Sequence, residues 1–180
     1  MSSVDFSPNA GSQNVSVHLA PWVAGQLLNV ADIPTNGTAT MSGSAIMSTA
    51  FRLNQSGSIY DVHKYISNGN VQVQFNWDAG GNYTGTFSLS DYDETNPIAI
   101  SAGITDFNFN ISGSGVSYSG NKTNFSNGWG GSVSAQGLLY GGNSPDESGG
   151  RINVSLSKTG DINTLGANDF YFAEGIFLVD

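Results

Sequence analysis

The chain has 180 residues, no cysteine, and fourteen acidic against five basic side chains, for a net charge of −9. That balance repels phosphate and argues against a nucleic-acid reader, while the missing thiols exclude disulfides, thiolate metal sites and a cysteine nucleophile. Only 11% of residues are charged, against roughly 25% in ordinary soluble domains, and Gly, Ser, Thr and Asn fill the gap, which suits a secreted or surface protein with a neutral polar exterior.

The start, Met1-Ser2-Ser3-Val4-Asp5, has neither a basic flank nor an apolar run. The expectation is an export signal already removed, or a module cut from a longer chain. No stretch reaches the ~18–20 apolar residues of a helical membrane span. Residues 1–32 read as a short N-terminal extension, strand or plug. His18 lies in its apolar-alternating stretch 15–22, and the best helical window, 22–30, is short and uncapped.

From residue 33 onward, runs of period-2 alternation rich in β-branched and aromatic residues are separated by Gly, Asn, Asp and Ser clusters, the pattern of strands and turns. The first strand is 38–51. Next comes Ile59-Tyr60-Asp61-Val62-His63-Lys64-Tyr65-Ile66, which reads either as a surface loop or as a continuation of the first hairpin. In the second case Tyr60, Val62 and Lys64 share one face, and His63 and Tyr65 the other. In 71–77, Val71, Val73, Phe75 and Trp77 form a core face, and Asp78-Ala79-Gly80-Gly81-Asn82 turns the chain into 83–90. Residues 98–104 and 107–112 read as one long strand or a bulged pair around Gly103. Gly113-Ser114-Gly115 leads to 116–121, and 128–140, 150–157 and 170–179 complete eight strands.

Eight short strands with short turns imply a sandwich or a closed barrel. Phe170-Tyr171-Phe172-Ala173 and Ile176-Phe177-Leu178-Val179 make the last strand too apolar to remain an exposed edge. The expected fold is therefore all-β, an eight-stranded antiparallel up-and-down β-barrel closed by pairing 170–179 with 38–51, its interior filled by side chains. Residues 112–118 are too polar for the lipid face of an outer-membrane barrel.

Two histidines, His18 and His63, exclude a three-histidine zinc site and leave little for a catalytic triad. The acids Asp91, Asp93 and Glu94, and Asp146 and Glu147, lack calcium-loop spacing and read as solvated turn residues. The chain reads as a non-enzyme with no metal. Tyr60, His63 and Tyr65 are the candidate contacts: aromatic anchors for a protein partner, or ligands to haem through His63 or a tyrosine. Trp129, in Asn127-Gly128-Trp129-Gly130-Gly131, is a further candidate, as wall or as exposed lid, while Trp22 and Trp77 read as core.

Ile33-Pro34-Thr35-Asn36-Gly37-Thr38-Ala39-Thr40-Met41-Ser42-Gly43 resembles the run that opens the barrel domain of the transferrin-binding protein B family. Gly137-Leu138-Leu139-Tyr140-Gly141-Gly142-Asn143-Ser144, leading to Glu147-Ser148-Gly149-Gly150-Arg151-Ile152, resembles that family's Gly-x-Phe-Tyr-Gly-Pro hairpin. Gly142 stands in place of the proline, and Leu139 and Ile152 in place of phenylalanines. Phe172-Ala173-Glu174-Gly175-Ile176-Phe177 is similar to the closing strand, so the likeness spans 33–180. It implies a β-barrel binding module at the surface of a Gram-negative bacterium or outside it, with a host or surface protein as partner, in iron capture or adhesion. A carrier of haem or another small hydrophobic ligand, and a structural tail of a larger surface protein, are the other roles it implies. Residues 1–32 are fewer than the handle domain found in many such proteins.

Overall fold

A computed structural model describes residues 25–54, 60–158 and 169–180, with only the backbone of 54, 60 and 61. His18 and Trp22 lie outside the described residues. The alternating segments form β1 (Gly37–Asn54), β2 (Tyr60–Trp77), β3 (Asn82–Ser90), β4 (Phe107–Ser114), β5 (Ser117–Lys122), β6 (Trp129–Tyr140), β7 (Glu147–Lys158) and β8 (Phe170–Val179). Each pairs antiparallel with its neighbour in sequence, and the barrel closes in the order β1 to β8. The closing register sets Gly43 opposite Val179 and Arg52 opposite Phe170. This seam satisfies the backbone of both terminal strands, which would otherwise be free edges.

The inward parity of the strands is mainly apolar, with Thr49, Ser67 and Ser148 as buried polar exceptions, and aromatic rings fill the interior. Phe87 stacks on Phe109 with ring centroids 5.2 Å apart and meets Phe177 edge-on at 5.1 Å. Nearer the other end, Phe75 packs against Tyr118 at 5.2 Å and Trp77 at 5.5 Å. Two glycines make room for these rings. A Cβ on Gly137 would lie 2.3 Å from the Tyr118 ring and one on Gly113 would lie 2.5 Å from that of Tyr83, so each tyrosine lies flat on a bare stretch of strand.

Both ends of the barrel are covered. At one end Leu27 bridges to Tyr140, the Leu28 amide donates to the Leu139 carbonyl at 3.2 Å, and Leu28 and Ile33 are buried. The window 22–30 shows, from residue 25 on, no α-helix; a 3-10 turn follows at Val30–Asp32. At the opposite end sits a helix where a strand was expected: residues 98–104 belong largely to α1 (Pro97–Ala102). Asn96 caps it, its side-chain oxygen accepting from the Ile98 and Ala99 amides at 2.8 and 3.3 Å. Pro97 fills the first turn, and Gly103, at φ 68°, ends the helix in the left-handed region. Ile98, Ala99 and Ala102 bury one face of α1 against the barrel.

Candidate functional site

The end covered by α1 is organised by Asp93, which occupies a left-handed turn at φ 48° after β3. Tyr65 and Tyr171 both donate to its Oδ2, the second at 2.6 Å. The Asn96 amide donates to the Tyr65 hydroxyl at 2.7 Å, so the residue that caps α1 also ties it to β2. The Tyr171 hydroxyl lies 2.7 Å from that of Tyr92, which stands within 3.4 Å of the Thr49 and Ser67 hydroxyls. Burial raises the phenols of Tyr65, Tyr92 and Tyr171 above their ordinary pKa, and the hydrogen bond to the Asp93 carboxylate adds to the rise for Tyr65 and Tyr171. At neutral pH these are neutral donors, and the network works as a latch for the end cap.

The contact residues suggested by the sequence fall in different places. Residues 60–66 are the opening of β2, not a loop, with Tyr60 paired to Asn54 and its side chain outside the described residues. His63 is exposed and stacks on Phe51, with centroids 4.6 Å apart and planes inclined by 17°; Tyr65 meets the same Phe51 ring edge-on at 5.9 Å. These two therefore share a face, but the Tyr65 phenol is committed to Asp93 and Asn96. Trp129 is buried, and its indole N–H donates to the Ser101 hydroxyl at 3.3 Å, at the far end of α1. Among the described residues no three His, Cys, Asp or Glu side chains group as a metal site.

The outer wall carries two contrasting surfaces. Over β1–β4 a shallow groove is lined by Thr38, Thr40, Gln74, Asn76, Thr84 and Asn110, all neutral hydrogen-bonding side chains. Across the closing seam the wall is apolar. Of the eight large hydrophobic side chains exposed among the described residues, five project from β2, β1 and β8: Val62, Ile66, Ile46, Phe172 and Leu178, at 39 to 65% exposure. The register brings them together. Ile46 lies opposite Ile176, Ala50 opposite Phe172, Ser44 opposite Leu178 and Ser48 opposite Ile66. Their signal in the sequence is a break in alternation: Ile176-Phe177-Leu178-Val179 is apolar at all four positions, so two of the four must face outward.

No family model matches the chain, and no curated protein matches it. Among solved structures it is similar to a mutant of the vaccine antigen transferrin-binding protein B (TbpB) from Haemophilus parasuis Hp5. The identity is 17% and the TM-score 0.41, over 87% of this chain and 29% of that one.

Proposed function

We propose that this chain is a non-catalytic binding module, carried at the surface of a Gram-negative bacterium or secreted from it. It captures a host protein or iron source, or mediates adhesion, through the outer wall of its barrel. The observation that supports this reading is the gathering of five exposed hydrophobic side chains on the β8–β1–β2 wall. Contiguous exposed apolar surface marks contact sites, and aromatic or aliphatic anchors dominate their energetics. The barrel closes from β1 to β8, and the partner docks on the side chains of this outer wall.

The test is capture of purified transferrin, lactoferrin and haemoglobin by the immobilised chain, compared with the double variant Ile66→Glu, Phe172→Glu. Two charges at a hot spot are expected to cost at least about 2 kcal/mol, roughly thirtyfold in affinity. Capture unchanged in the double variant counts against this wall. Saturable haem absorption that vanishes in His63→Ala would instead make the chain a haem carrier, bound at the rim beside Phe51.

A further inference from the structure

Away from the apolar wall, towards the end of the barrel opposite α1, β1 to β4 expose a regular grid of uncharged hydrogen-bonding side chains, and we infer that this grid is a binding site for a neutral oligosaccharide. One row runs Thr38, Asn76, Thr84 and Ser112, each directly opposite the next in the strand register. The adjoining row runs Thr40, Gln74, Thr86 and Asn110. Together they line the shallow groove, which holds about 690 Å³, within the ~300–1,000 Å³ usual for small-ligand sites. Thr84 and Thr86 are shorter than the amides of Gln74 and Asn76 on β2 and of Asn110 on β4, so the outer surface dips at β3.

Among the described residues, none of the side chains in these two rows has a hydrogen-bond partner. Elsewhere on the outer wall amides are already engaged: Asn70 donates to Asp91 at 2.5 Å, and Gln136 accepts from Arg151 at 2.6 and 3.0 Å. Each free amide offers donors and an acceptor, and each hydroxyl can do both. Sugar hydroxyls also donate and accept, so the two surfaces match group for group. Neighbouring strands lie about 4.8 Å apart and alternate residues along a strand about 6.8 Å, so the rows cover about 15 by 7 Å, room for a short run of sugar rings.

The composition of the rows disfavours other ligands. A phosphate, sulfate or carboxylate is held by cations, and a metal ion by carboxylates, and the rows contain neither. Asp78, just past β2, and Asp180, hydrogen-bonded to Ser42, border the grid, and with the net charge of −9 they turn away anionic glycans. The exposed hydrophobic side chains of β1 and β2, Ile46, Val62 and Ile66, stand nearer α1, so the rows lack the apolar anchors of a protein contact. With no ring in the rows to stack on a sugar face, one chain should bind at about 1 mM, and firm attachment requires several copies on one polymer.

The decisive experiment follows the side-chain amide NMR signals of Gln74, Asn76 and Asn110 in the full chain while maltohexaose, cellohexaose, chitohexaose or a heparin hexasaccharide is added to about 10 mM. At least one neutral oligosaccharide should shift these amides saturably, and heparin should not. Affinity should fall at least about tenfold in the double variant Gln74→Ala, Asn110→Ala, whose urea midpoint should match that of the parent because both side chains are exposed. Thr84→Arg, which fills the dip from an exposed position, should cause a second, independent loss. The double variant Ile66→Glu, Phe172→Glu should bind the sugar as the parent does, which separates this site from the apolar wall. Absence of saturable shifts with every neutral oligosaccharide overturns the inference, as do equal binding of heparin and shifts that glucose alone reproduces. Binding that survives in both groove variants places the sugar elsewhere and overturns the site.

Discussion

Two interior tyrosines face opposite situations. The Tyr83 hydroxyl is buried with no hydrogen-bond partner, whereas that of Tyr171 joins Asp93 and Tyr92. An unpaired buried hydroxyl loses its water and gains nothing, while removing one member of a paired set leaves the others unsatisfied. Tyr83→Phe should therefore be neutral or stabilise by up to about 1 kcal/mol, and Tyr171→Phe should cost about 1–3 kcal/mol. Urea midpoints of the two variants measure this, and a Tyr83→Phe loss as large as that of Tyr171→Phe would reveal a partner for the Tyr83 hydroxyl. Alternation in the sequence places both rings inside, and it puts His63 and Tyr65 on a common face. It says nothing of Asp93, which reaches Tyr65 from a separate turn and only through a left-handed backbone.

At the scale of elements, α1 replaces an expected strand while β2 realises the continued hairpin that residues 59–66 offered, and the two have separate physical causes. The signals of α1 are present in Asn96, Pro97 and Gly103, but six residues are too few for a 3.6-residue period to stand out against the β-branched Ile98, Ile100 and Ile104. β2 begins at Tyr60 because alternation runs unbroken through Ser67-Asn68-Gly69-Asn70, a cluster whose composition reads as a turn. Gly69 is there for space: a Cβ would lie 3.0 Å from the Tyr92 Cβ, so the bare backbone admits the tyrosine that fills that end. The closing seam rests on a similar contact. A Cβ on Gly175 would stand 2.0 Å from the Ile46 carbonyl oxygen and 2.6 Å from the Met47 Cα, which are backbone atoms that cannot swing aside. Gly175→Ala should part β8 from β1 and cost about 1–3 kcal/mol, with hydrogen exchange accelerated first along these two strands. Uniform protection in that variant would mean that the strands shift without parting.

At the scale of the whole molecule, closure was legible because a strand as apolar as β8 cannot be an edge, and the register confirms the pairing with β1. The outer face of the same strand was not, because its hydrophobic excess was taken up by the argument for closure. Only the register shows that Ile46, Ile66, Phe172 and Leu178 meet on one wall.

A consequence of filling the barrel with phenols appears in its response to alkali. Five of the seven tyrosines, Tyr65, Tyr83, Tyr92, Tyr118 and Tyr171, have pKa values raised chiefly by burial. The unfolded chain releases these protons near the ordinary phenol value of about 10, while the folded chain still holds them. Above that pH the folded state binds more protons than the unfolded one, so stability falls as pH rises; below it both states are protonated and the contribution is complete. Urea midpoints should be level from about pH 7 to about pH 9 and decline steeply beyond about pH 10, with phenolate absorbance from these five tyrosines appearing together with unfolding. Phenolate growing smoothly in a chain that stays folded would mean that the rings titrate in place, and that the interior is open to hydroxide.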